Sequence, residues 1–126
     1  MKKFLMVLFA VVSLTGFRQQ DYVDQVEYVA ESTVRFITGL EGFKSRAYRD
    51  SEGNHTIGIG HLLTPKDRHL HKASLSQRQA VQILRADLAP CTRALRSYVL
   101  VNLTQSQNDA LQSLCMNFGE QRFIKS

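Results

Sequence analysis

The sequence predicts an α+β fold in which helices flank one short, glycine-punctuated β segment. Three observations predict it. Apolar residues recur at helical spacing in three places, at about residues 22–40, 77–98 and 104–118. Between the first two, residues 45–61 change to strand-like runs around a turn that bears Gly and Asn. Two Ser/Thr-x-x-Gln sequences, Ser76–Gln79 and Thr104–Gln107, have the form of capping boxes where the second and third helices begin. A chain of 126 residues fits one small domain, and 44% hydrophobic against 21% charged residues excludes a chain disordered throughout.

Residues 1–20 read as a targeting segment. Lys2 and Lys3 form a charged start, and Phe4–Phe17 is an almost unbroken apolar run of fourteen residues. That is short of the roughly 20 residues of a membrane span and suits a signal-peptide core. The expectation is export, to the periplasm or beyond, with transient membrane association through residues 4–17. The alternative is an uncleaved membrane anchor. Residues 21–126 remain as the folded domain.

In the first helix, Tyr22, Val26 and Val29, continued by Thr33 and Phe36, make one row; Val34, Ile37 and Leu40 carry the apolar face to Gly39–Gly42, where glycine ends it. Ser32 is placed to cap a second helix if the pattern breaks near Glu31–Thr33. Asp21, Asp24, Glu27 and Glu31 disfavour an anionic membrane surface for this helix. Ser45–Tyr48 reads as a strand, Ser51–Asn54 as a turn, and Thr56–His61 as a half-buried strand. Its alternate glycines leave one face open to close approach by backbone or ligand. They are not read as a phosphate cradle, because they lie inside a strand and no lysine-bearing helix start follows.

Residues 64–75 form a polar loop; its His69 and His71 are not read as a metal site. The second helix runs from Gln77 to Tyr98, with Ala80, Ile83, Leu84, Leu88, Ala94 and Leu95 on one side. Pro90 is expected to kink it or divide it, and its length suits a bridge between two lobes. The third helix carries Ala110, Leu111, Leu114, Cys115 and Phe118 as its apolar face and ends at Gly119. Cys91 and Cys115 fall on these two helices. In an oxidising compartment they can form one disulfide, and two buried thiols are the alternative; no zinc-ligand spacing accompanies them.

Net charge is +5, divided as +3 over residues 1–20, −3 over 21–60 and +5 over 61–126. The basic C-terminal part is either a solvated face or a surface for a polyanion such as the acidic polymers of a bacterial wall. Nucleic acid is not expected, because no base-reading motif is present and an export signal is.

Candidate chemistry concentrates in Glu41–Leu63. Glu41 follows an apolar helix at its C-terminal end, where the macrodipole disfavours negative charge, and cover by Phe36, Leu40 or Phe43 would act in the same direction. That is the setting of a general acid; a surface Glu paired with Lys44 or Arg46 is the plainer reading. Asp50, beside a turn, reads either as an ionised group holding a water or as the residue that initiates the turn. Thr56 is folded back beside it by a hairpin, where its hydroxyl can position the same water or serve only as a strand former. His61 reads as a residue orienting Glu41 or a backbone group, or as a hydrogen-bonded structural histidine. Two carboxylates in unlike settings are the parts of a glycoside hydrolase site.

These residues also bring a resemblance. Glu41-Gly42, Tyr48-x-Asp50, Gly53 and Thr56-Ile57-Gly58-Ile59-Gly60-His61 resemble the catalytic signature of phage-type lysozymes, the endolysins of glycoside hydrolase family 24. A second block, Leu103-Thr104-Gln105-x-Gln107-x-Asp109-Ala110-Leu111-x-Ser113 with Asn117-x-Gly119, is similar to that family's helix after the interlobe connection, so the likeness covers about residues 34–126. It implies a lysozyme-like fold with a small β-hairpin-bearing lobe and a helical lobe joined by a long helix. It implies peptidoglycan as substrate, cut between N-acetylmuramic acid and N-acetylglucosamine. Glu41 would be the proton donor, Asp50 and Thr56 the water-activating pair of an inverting enzyme, and His61 a supporting residue, with no metal or organic cofactor. Members of the family usually continue well past the position of Ser126, so the expectation is an incomplete helical lobe. The competing expectation is a non-catalytic module that binds peptidoglycan or a lysis-related partner.

Overall fold

The computed structural model describes residues 29–126. The expectations for residues 1–20 and for the start of the first apolar row, Tyr22 and Val26, lie outside the described residues. The chain runs through helix α1 (Glu31–Glu41), strands β1 (Lys44–Arg49), β2 (His55–Gly58) and β3 (His61–Leu62), a 3₁₀ segment at Pro65–Leu70, and helices α2 (Gln77–Tyr98), α3 (Gln105–Phe118) and α4 (Glu120–Lys125). The class is α+β. The strands make one antiparallel sheet in the order β1-β2-β3, irregular between Lys44 and Tyr48.

Helix α1 begins at the break expected near Glu31, but Ala30 is its N-cap and no side chain caps it, so Ser32 does not start it. Its buried face is Thr33, Val34 and Ile37, and with Val29 it packs on Ile59, Ala80, Leu84 and Leu88. Phe36 and Leu40 instead face solvent. Gly42 ends the helix in the left-handed region, its N–H donating to the Thr38 carbonyl, and turns the chain into β1.

The run Thr56–His61 is not one strand. Gly58 and Gly60 both take positive φ, so the chain leaves β2 at Gly58 and re-enters as β3 at His61. The open glycine face is filled from within. At Gly58 it is closed by Ala80 of α2, whose Cβ would stand 3.3 Å from an added methyl group.

Helix α2 spans the expected residues and starts in a full capping box of Ser76 and Gln79. Pro90 neither ends nor divides it. The first half of α2 packs on the core from the sheet side, and its second half runs against α3, where Cys91 and Cys115 are joined in a disulfide. Helix α3 also starts in a full capping box, Thr104 and Gln107, and Gly119 ends it at positive φ before α4 begins.

The buried face of α3 differs from the apolar face read in the sequence. Asp109, Gln112 and Cys115 are buried, whereas Ala110, Leu114 and Phe118 are exposed. The partners explain it. Thr33 of α1 donates to Asp109 at 2.6 Å, and Gln112 donates to Thr92 of α2 at 3.0 Å. Each of these two polar residues thereby gains a hydrogen bond across the helix packing, while Gln112 Oε1 stays buried without a partner.

Candidate active site

The two hairpins and α1 deliver the candidate residues to one place. Glu41, the last residue of α1, Asp50 at the end of β1 and Thr56 on β2 all line a cleft of about 640 Å³. The β segment forms one wall. The middle of α2, with Asp87 and Pro90, forms the floor, and Met116, Asn117 and Glu120 lie on the far side.

Glu41 is half-buried. Its side chain lies against the backbone of Gly60, where a methyl group would stand 2.9 Å from Oε2 and 3.1 Å from the carboxyl carbon. The residue therefore occupies space that only glycine leaves free. Phe36, Leu40 and Phe43, any of whose cover would also have favoured the neutral acid, are exposed.

Asp50 initiates the turn and lies in the cleft at once. Its Oδ1 accepts the backbone N–H of Asn54 at 2.8 Å and of Glu52 at 2.9 Å. These donors, Asn54 foremost, hold its carboxyl below the usual carboxylate range, so it is ionised at neutral pH. The hairpin pairs Tyr48 with Thr56 and thereby returns Thr56 to the Asp50 side of the sheet. Thr56 is buried, and its hydroxyl donates to the Asn54 carbonyl at 3.4 Å, a long bond.

His61 turns to α2 rather than to Glu41. Its Nδ1 is 2.8 Å from Asp87 Oδ2, and its Nε2 is 3.7 Å from Asp67 Oδ2, an ion-pair distance too long for a hydrogen bond. The bond to Asp87 raises its pKa above the ordinary histidine value against the opposing effect of burial. Asp67 in turn closes a capping box with Thr64 at the head of the 3₁₀ segment. His61 thus ties β3 to α2 and to the following loop. Neither acid is legible as its partner in the sequence: Asp87 reads as one more polar helix position, and Thr64-x-x-Asp67 is the only local signal for the second.

Among the described residues no group of His, Cys, Asp and Glu is arranged to hold a metal ion. His71 makes an edge-to-face contact with His55 at 5.5 Å between ring centroids. Five carboxylates, those of Glu41, Asp50, Glu52, Asp87 and Glu120, line the cleft, and no described Lys or Arg does. The cleft is therefore a region of negative potential in a basic chain. It suits developing positive charge.

Residues 38–126 match the family described as phage lysozyme. The chain belongs to the phage lysozyme family. Within it, the chain is similar to the endolysin of Acyrthosiphon pisum secondary endosymbiont phage 1, at 34% identity over 100 residues that cover 79% of this chain and 65% of the relative. It is similar to the endolysin of Salmonella phage P22, at 36% identity over 87 residues that cover 68% of this chain and 60% of the relative. The chain thus spans less than two thirds of the length of either relative. Among solved structures it resembles the muramidase domain of SpmX from Asticaccaulis excentricus, with a TM-score of 0.63 and 33% identity, covering 78% of this chain and 64% of that one. The matched range, residues 38–126, includes Glu41, Asp50, Thr56 and His61.

Proposed function

We propose that this phage lysozyme family member is an exported muramidase that hydrolyses the β-1,4 bond between N-acetylmuramic acid and N-acetylglucosamine in peptidoglycan, with inversion. The observation that carries the reading is that Glu41, Asp50 and Thr56, from three separate elements, line one cleft. Glu41 donates its proton to the glycosidic oxygen as the bond breaks. Asp50, ionised, takes a proton from the attacking water, which the Thr56 hydroxyl helps to hold on the opposite side of the sugar ring. The negative potential of the cleft stabilises the oxocarbenium-like transition state. His61 acts at one remove: by fixing β3 to α2 it holds Gly60, and so the space that Glu41 occupies. The cycle uses side chains and water alone. Export rests on Lys2, Lys3 and the apolar run Phe4–Phe17.

Digestion of purified peptidoglycan tests the reaction. The expected fragments carry N-acetylmuramic acid at the reducing end, released first as the α-anomer. Release first as the β-anomer would contradict inversion. Binding to sacculi with no fragment released would overturn the hydrolase and leave a binding module.

A further inference from the structure

Two arginines and two histidines meet on the face of the β segment turned away from the cleft. Tyr48 and Thr56 are paired across β1 and β2, and both line the cleft. The next pair along the hairpin is Arg49 and His55. Side chains alternate between the two faces of a sheet, so Arg49 and His55 project from the opposite one. The chain after β3 returns to them there. His71, which caps the end of the 3₁₀ segment, sets its ring edge-to-face on that of His55. Its N–H donates to the Arg68 carbonyl, and residues three apart on a 3₁₀ turn eclipse, which places Arg68 on the side of His71. All four residues are exposed. The cleft stands between this face and the helical wall of Met116, Asn117 and Glu120, so their exposure does not depend on α3 or α4. Among the described residues no acid offsets them. The five carboxylates of the cleft lie on the other side, Glu31 pairs with Arg85, Asp109 is buried beside Thr33, and Asp67 is turned to Thr64 and His61. Neither Arg49 nor Arg68 makes an ion pair with any of these acids.

A single exposed arginine is an ordinary surface residue. Two guanidinium groups and two imidazoles drawn from β1, β2 and the 3₁₀ segment, with no acid among them, make a surface that attracts anions. Peptidoglycan supplies a matching one. Its glycan strands carry short stem peptides whose carboxylates are ionised at neutral pH, and a guanidinium takes a carboxylate through two parallel N–H bonds. A strand seated in the cleft lies on one side of β1 and β2, so a group on the other side meets a neighbouring strand. We propose that Arg49, His55, Arg68 and His71 form a second peptidoglycan contact, which takes the stem-peptide carboxylates of a strand next to the one being cut. The protein is then held to the wall through one face while its cleft acts through the other, and two weak contacts to one insoluble network retain it better than either alone. Stem carboxylates fit better than a phosphate polymer, because they belong to the substrate that the cleft holds. The proposal rests on the muramidase reading for its ligand, and its test separates the two.

The test is co-sedimentation of the full chain with purified sacculi. The chain carries Glu41→Gln, so that the sacculi stay uncut, and is compared with the same chain bearing Arg49→Gln and Arg68→Gln. The sacculi are freed of phosphate polymers with hydrofluoric acid, and one portion is then coupled to glycinamide with carbodiimide, which turns its carboxylates into neutral amides. The two arginine substitutions are expected to weaken binding to the uncoupled sacculi by roughly tenfold, with an unchanged melting curve. Coupling is expected to weaken the Glu41→Gln chain by a similar factor and the arginine variant by little. Equal binding of the two folded chains overturns the proposal. So does an equal loss by both on coupling, which would place carboxylate recognition elsewhere. Binding by the Glu41→Gln chain that coupling leaves unchanged overturns it without any arginine variant, and binding that hydrofluoric acid alone removes assigns the surface to a phosphate polymer and overturns it too. The muramidase reading is judged separately, by fragments released from sacculi by the chain with Glu41 in place. Their absence would overturn that reading, while the binding comparison still decides the second contact.

Discussion

Gly60 decides where the Glu41 carboxyl sits. It holds φ at +67° and leaves the space that the carboxyl fills. Gly60→Ala is therefore expected to act twice: about 1–2 kcal/mol of stability is lost to the left-handed backbone, and the displaced acid lowers kcat by about 100-fold. Steady-state kinetics on soluble glycan with a parallel thermal melt check both. Asp50 and Asp67 have carboxyls held below the usual range by hydrogen bonds, Asp50 chiefly from the Asn54 N–H and Asp67 chiefly from the Thr64 hydroxyl. A depressed acid stabilises the fold above the ordinary carboxylate value and loses that contribution as pH falls through its folded value. Melting temperature should therefore drop below about pH 3.8. At this scale Glu41, Asp50 and Thr56 are legible because they lie within sixteen residues of one another around recognisable turn chemistry. Asp87 is not, because its partner His61 is 26 residues away and nothing in Leu84–Leu88 separates a clamping acid from a solvated one.

The elements are held to one another by a few polar bridges. His61–Asp87 fastens β3 to α2. The folded pKa of His61 is raised, so its stabilising contribution is complete below the ordinary histidine value of about 6.5 and is lost as pH rises through the folded value. Asp87→Asn is expected to destabilise by about 1.5–3 kcal/mol near pH 5.5 and by less at alkaline pH. Denaturant melts of parent and variant across that range measure the converging difference. Equal differences at both ends would deny the ion pair its role. The two helix starts make simpler predictions: Ser76→Ala and Thr104→Ala should each cost about 1 kcal/mol in the same assay, through loss of the capping boxes. Helices α2 and α3 are legible in extent because their caps are written locally. The inner face of α3 is not: periodicity weighs apolar residues, whereas Asp109 and Gln112 are buried by the partners Thr33 and Thr92, which come from other helices. The strand read across Thr56–His61 divides for a related reason, since alternation alone does not reveal that two of its glycines hold positive φ.

As a whole, the molecule is a β-bearing wall and a helical wall joined by α2, with the cleft between them and one covalent tie on the helical side. Cys91 and Cys115, 24 residues apart, fix the second half of α2 to α3, and both line the cleft. Closing a loop of that size is worth about 3 kcal/mol through the unfolded chain. Reduction is expected to lower the melting temperature and, by loosening the far wall, to raise KM more than it lowers kcat; kinetics with and without reductant check it. At this scale the sequence already shows helices around a β segment and a long connecting helix. It does not show the charge division of the fold. Charges summed along the chain make the C-terminal part basic, yet Asp87 and Glu120 from that part line the cleft with Glu41, Asp50 and Glu52, and none of the described Lys or Arg residues does.

The most direct test of the central claim compares the full chain with Glu41→Gln on purified peptidoglycan, following released muropeptides and binding to the sacculus together. Parent hydrolysis, with release by Glu41→Gln lower by at least about 100-fold and sacculus binding retained, is the expected result. Equal release by both proteins would contradict the assignment of Glu41 as the acid on which this cleft is built.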